Sequence, residues 1–144
     1  MIRSVFIIHE SGLCLLSRSY SGDSQNRDLF SGFLVAVSSF AKNLIGEKIN
    51  EIRMEHHKIF YESRKALVIA LVTSEKKISN RKLSTIMKRI YNNFIEQYND
   101  YLEHNIIEPE IFRDFSTTID NILQTSGITI LDYKQAEKTI TGVH

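Results

Sequence analysis

Five histidines (His9, His56, His57, His104 and His144) and one cysteine, Cys14, are the residues from which this 144-residue chain could build a metal site or a nucleophile. No histidine falls in an HExxH or Cys/His zinc spacing, and His56 and His57, adjacent on a strand, point to opposite faces and cannot share a metal. Cys14 sits in LCLLSRS, where apolar neighbours make a thiol a small buried hydrophobe rather than a nucleophile. The segment HESG, residues 9–12, sets a His beside a Ser, but without a placed acid or oxyanion donor it reads as a turn. LIGEKI has a glycine near a lysine without the GxxxxGK[ST] spacing that cradles phosphate, and the sequence contains no GxGxxG. The expectation is a protein with no catalytic residues, no metal and no cofactor.

The other candidate is a basic cluster, Lys76, Lys77, Arg81, Lys82, Lys88 and Arg89, at the start of a long helix. Cations there oppose the helix macrodipole, so helix stability does not explain them. Anionic lipid headgroups, an acidic protein surface, phosphates or plain solvation would. Nucleic acid fits less well, because the aromatics fall on the apolar stripe rather than among the cations where bases would stack.

The totals agree with a folded interaction domain. Lys plus Arg number 18 against 17 Asp plus Glu, so no whole-molecule field draws the chain to nucleic acid or lipid. The lone cysteine excludes an internal disulfide and suits a reducing compartment, so a cytoplasmic location is expected, peripheral at membranes if the basic cluster meets lipid. The N-terminal run is broken at His9 and Glu10, too short for a signal peptide. The longer apolar stretches are interrupted before the ~18 residues of a membrane span.

The elements that must position these residues are legible in their periodicity. IRSVFII, residues 2–8, and KALVIALVT, residues 65–73, are apolar on both faces and belong in the middle of a sheet. LCLLSRS pairs with the first of these through the HESG turn, with Leu13 and Leu15 on one face and Cys14 and Leu16 on the other. In residues 49–54, Ile52 and Met54 alternate with Glu51 and Arg53, the pattern of an edge strand, and HKIFYESR follows as its hairpin partner. A first helix runs from Asp28 to Ile45, capped at Asn26 or Asp28 and closed by Gly46. A second starts at Ser79 or Asn80, and a third has Pro109 in its first turn and ends at Gly127. The order is β-β-α-β-β-β-α-α: a three-layer α-β-α sandwich on a five-stranded antiparallel sheet. Residues 1–127 form one domain, and 128–144 a partly disordered tail.

On a wheel of 100° per residue, Phe30, Phe33, Leu34, Val37, Phe40, Ala41, Leu44 and Ile45 of the first helix share one half and are expected to cover the sheet. The other half holds Asp28, Ser31, Val35, Ser38, Ser39 and Lys42, small and lightly charged, beside the edge strand. That is a surface another protein could lie across. The expected partner-binding residues are Asp28, Ser31, Val35, Ser39, Lys42, Ile52 and Met54.

With this order of elements, the segments SGLCLLSR, FSGFLVAVSSFA, KIFYES and ALVIALVT make residues 1 to about 125 resemble the longin-like domains, including the single-domain longin proteins of Asgard archaea. Longin and roadblock domains serve as platforms that dimerise and bind small GTPases, SNAREs or coat subunits in membrane traffic. The resemblance implies a non-enzymatic scaffold, homodimeric or paired with a longin or roadblock partner, that binds or regulates a small GTPase or joins a vesicle-trafficking complex. SNARE-type longin proteins continue into a heptad segment and a membrane anchor, whereas this chain stops after ITGVH, so fusion activity is not expected. The alternatives are a peripheral adaptor for anionic membranes, through Lys76 to Arg89, and a small-ligand sensor, since α-β-α sandwiches also host ligands.

Overall fold

Strands that are apolar on both sides must be covered on both sides, and the computed structural model, which describes residues 2–21, 26–74 and 78–128, meets that demand with three layers. The five antiparallel strands are β1 (Ile2–His9), β2 (Cys14–Ser19), β3 (Glu51–Arg53), β4 (His57–Arg64) and β5 (Leu67–Ser74), in the order β2-β1-β5-β4-β3. The two-faced strands β1 and β5 are adjacent and central, with Val5 opposite Leu71 and Ile7 opposite Ile69. The alternating strand β3 is at one edge, as its pattern requires.

One face carries α2 (Asn80–Glu103), a 3₁₀ turn (Pro109–Phe112) and α3 (Phe115–Thr125). Their stripes, among them Leu83, Ile90, Phe94, Phe112, Phe115 and Ile122, bury against Ile7, Ile69 and Leu71. Phe94 is the hub of an aromatic cluster, with its ring 4.9 Å from Tyr98, 5.4 Å from Phe112 and edge-on to Phe115 at 5.1 Å. Among the described residues, the other face carries one helix, α1 (Arg27–Phe40), over Phe6, Ile8, Ile59, Tyr61 and Val72.

The helix ends follow their capping residues. Asn26 accepts from the Leu29 amide at 3.0 Å, and Ser79 from that of Lys82 at 3.2 Å. Gly46, with φ 80°, closes the first helix in the left-handed region that costs glycine nothing. Its amide bonds Ala41 O, so Ala41–Ile45 is a π-helical turn rather than a continuation of α1. The expected third helix likewise divides: Pro109 opens a separate 3₁₀ turn, and α3 starts only at Phe115.

A β-bulge corrects the reading of β2. Ile7 pairs with Leu16 but Ile8 with Cys14, so Leu15 is the extra residue. Leu16 therefore joins Leu15 on the α2–α3 side, while Cys14 alone faces α1. Strand β3 is shorter than expected, three residues instead of six. It is tied down by Glu51, which lies 3.5 Å from Lys58 Nζ and accepts from Asn80 Nδ2 at 3.3 Å, with Lys58 donating to Asn80 at 2.7 Å. Across the sheet, Arg18 donates to both oxygens of Asp120 at 2.9 and 3.0 Å, and the Tyr20 hydroxyl donates to the same carboxylate, locking β2 to α3. Residues 129–144, which include nearly all of the proposed tail, lie outside the described residues.

Candidate functional site

The first helix is rotated about its axis from its expected orientation, so that its buried stripe takes residues from both expected halves. Ser31 is 0% exposed, and with Leu34 and Ala41 it forms the buried stripe of the helix, flanked by Val35 and Ser38. Phe33 is 51% exposed and Phe40 60%, and Leu29, Leu44 and Ile45 join them in the open. Of the half assigned to the core, Leu34 and Ala41 are buried, Val37 is half-buried and Phe30 sets its ring 4.3 Å from that of Phe6, whereas Phe33, Phe40, Leu44 and Ile45 are surface. The physical reason lies in the sheet. Phe6, Ile59 and Tyr61 already supply the bulk on this face, so the helix meets them with small side chains that allow a close approach.

The corrections to the expected partner-binding set follow directly. Ser31 is buried and cannot touch a partner, and Val35 and Ile52 are half-buried against the α1-side core. Asp28, Ser39, Lys42 and Met54 do reach the surface. Reading by hydrophobicity missed Leu29, Phe33, Phe40, Leu44 and Ile45. Their signal was present as an excess: a helix carrying more large apolar residues than one sheet face can take must expose some. Arg27–Ile45 is also, at 19 residues, long and apolar enough by length and composition alone to cross a membrane, which corrects the expectation that no stretch would be. Here it forms one layer of the sandwich.

Beside the first half of α1, the exposed side chains border a groove of about 720 Å³ that runs to the end of β3 and is lined by Leu29, Phe30, Phe33, Met54, Ile59 and Val72. Arg3, Asn26 and His57 mark its polar rim.

The basic cluster divides. Arg81, Lys82 and Lys88 are exposed, whereas Arg89 donates to Ile122 O at 3.2 Å and to Ser126 Oγ at 2.7 Å. Arg89 therefore serves the C-terminal end of α3, where a cation meets the orphan carbonyls favourably. Arg81, Lys82 and Arg89 border one open depression with Thr125 and Ser126, and Lys88 is not part of it. Lys76 and Lys77 lie outside the described residues.

Among the described residues, four buried hydroxyls, those of Ser4, Ser31, Ser38 and Tyr61, have no hydrogen-bond partner. All are on the α1 side of the sheet: Ser31 and Ser38 on α1, Tyr61 beneath it, and Ser4 across from Val72. Burial pushes the Tyr61 phenol above its usual value, opposed by the nearby Ser38 hydroxyl. Burial likewise raises the Cys14 thiol, with Ser31 beside it in the same relation. Nothing here activates Cys14 as a nucleophile. Among the described residues, no three His, Cys, Asp or Glu side chains converge as metal ligands would.

No family profile matches the sequence, and no curated protein does. Solved structures do match by shape. MglB of Myxococcus xanthus superposes over 69% of this chain and 85% of its own, with TM-score 0.56 and 11% identity. The mammalian SRP receptor covers 88% of this chain and 95% of its own, with TM-score 0.54 and 14% identity. A Roadblock/LC7 domain from Streptomyces avermitilis covers 71% and 86%, with TM-score 0.51 and 12% identity. At these identities the likeness establishes the fold, which is longin/roadblock-like.

Proposed function

We propose that this chain is a non-enzymatic interaction module of the longin/roadblock type. It pairs through the outer face of α1 and the neighbouring edge of β3 with a second copy of itself or a partner of the same fold, and the assembly binds or regulates a small GTPase. The observation that carries this reading is the exposed line of Leu29, Phe33 and Phe40 on α1 and Leu44 on the π-helical turn after it, with Met54 beyond it. At 1.5 Å per residue the line from Leu29 to Leu44 extends about 22 Å, long enough for a helix-to-helix contact. An isologous pairing would cover the same stripe on both chains at once. The small-GTPase partner rests on the resemblance to longin and roadblock domains.

The test is mass in solution. Light scattering coupled to gel filtration should give twice the chain mass for the wild type and the single mass for Phe33→Asp and Phe40→Asp, both folded by circular dichroism. A monomeric wild type that also fails to bind any GTPase of a purified panel, loaded with GDP or a GTP analogue, would sink the proposal.

A further inference from the structure

Towards the other end of α1 the edge strand stops short. Strand β3 pairs with β4 only from Lys58 to Phe60, and one more main-chain bond, Tyr61 N to Asn50 O at 2.9 Å, closes the contact. Alongside the rest of β4 lies a cavity of about 530 Å³, bordered by Ser38 and Ser39 of α1, Lys42 of the π-helical turn, Lys48 of the following loop, Tyr61 of β4 and Lys65 of the next turn.

Two properties of this notch point to a ligand. Its three lysines have no hydrogen bond or ion pair among the described residues. Of the two carboxylates on its border, Glu62 is held by Arg64 at 3.1 Å, which leaves Glu10 as the one uncommitted negative charge. The border also carries the buried hydroxyls of Ser38 and Tyr61, which lie near each other and make no hydrogen bond among the described residues, Tyr61 being 0% exposed. An orphaned buried hydroxyl is costly and calls for an explanation, and a ligand oxygen supplies one.

We propose that this notch binds a phosphorylated small molecule or headgroup, with Lys42, Lys48 and Lys65 meeting phosphate oxygens and the Ser38 and Tyr61 hydroxyls bonding to the same ligand. Ammonium groups on flexible stems suit phosphate as point charges. The volume is in the range of small-molecule sites, roughly 300–1,000 Å³, and exceeds one phosphate, so the phosphate is carried on a larger group. The site is separate from the apolar line of α1 and does not depend on pairing.

Calorimetric titration with inositol trisphosphate, with unphosphorylated inositol as the neutral control, tests it. Flotation with phosphatidylcholine vesicles, with and without phosphatidylinositol bisphosphate, separates the sources: binding of the soluble probe alone marks a free phosphorylated ligand, and capture by the charged vesicles marks a headgroup. The paired Lys42→Glu and Lys65→Glu substitutions, both at exposed positions, should weaken binding at least about tenfold. Tyr61→Phe should weaken it about threefold while raising Tm, because it deletes a hydroxyl that the unliganded fold leaves unpaired. Phe33→Asp should bind as the wild type does, which keeps this result independent of pairing. Failure to bind both the trisphosphate and the charged vesicles, equal affinity for inositol and its trisphosphate, or affinity unchanged by the lysine substitutions would overturn the proposal.

Discussion

The two faces of the sheet solve the same problem differently. On the α2–α3 face, bulk comes from both sides: Phe94, Phe112 and Phe115 interlock over Ile7, Ile69 and Leu71, and the border carries the satisfied cluster Arg18, Tyr20 and Asp120. On the α1 face, the sheet supplies the bulk and the helix supplies Ser31, Leu34, Ser38 and Ala41. The first arrangement maximises dispersion contacts and leaves few polar groups to satisfy. The second buries all four orphaned hydroxyls and turns a row of large apolar side chains to the outside. A helix that spends its small residues on the core and its large ones on the surface contributes less to its own domain than it could, and what it exposes is available to a partner.

Breaking the packed face should cost most. Phe94→Ala removes the hub of the aromatic cluster and should destabilise the fold by about 3–5 kcal/mol in urea unfolding, because the surrounding rings cannot collapse into the space. Asp120→Ala leaves Arg18 and Tyr20 without their shared acceptor and should cost about 1–3 kcal/mol by the same measurement. The lone face should respond in the opposite sense. Ser31→Ala deletes an unpaired buried hydroxyl and should be neutral or stabilising by up to about 1 kcal/mol. A loss as large as that of Asp120→Ala would show that Ser31 has a real partner and that the two faces differ less than described.

Much of the fold was legible because strand burial writes itself into local pattern. Residues 2–8 and 65–73 are apolar on both sides, and only a central position in a covered sheet accommodates that. Asn26, Ser79 and Gly46 carry out their capping roles at the positions where their chemistry suggested them. The bulge at Leu15 was not legible, since one extra residue in a run of leucines leaves the composition of both faces plausible. The π-helical turn at Ala41–Ile45 was hidden for a similar reason: no proline or glycine interrupts the pattern there.

The candidate surface was legible in part: Asp28, Ser39, Lys42 and Met54 are exposed as expected, while Ser31 is buried and Phe33, Phe40, Leu44 and Ile45 are exposed instead of core. That α1 has one small face and one large face can be read from residues 28–45, but the wheel does not say which half meets the sheet. The default, large side chains inward, holds for Leu34 but not for Phe33, Phe40, Leu44 and Ile45, because the space beneath α1 is taken up by Phe6 and Tyr61, residues contributed from strands far away in the chain. The cavity near Lys42, Lys48 and Lys65 joins a helix, a loop and a turn, and no local spacing relates them. The sequence alone thus determined the strands, the helix caps and the antiparallel three-layer class, all of which follow from periodicities of two and 3.6 and from backbone chemistry within a few residues. Only the tertiary structure decided which side of α1 faces outward and which lysines stand together, because both depend on volumes and distances set by residues remote in sequence.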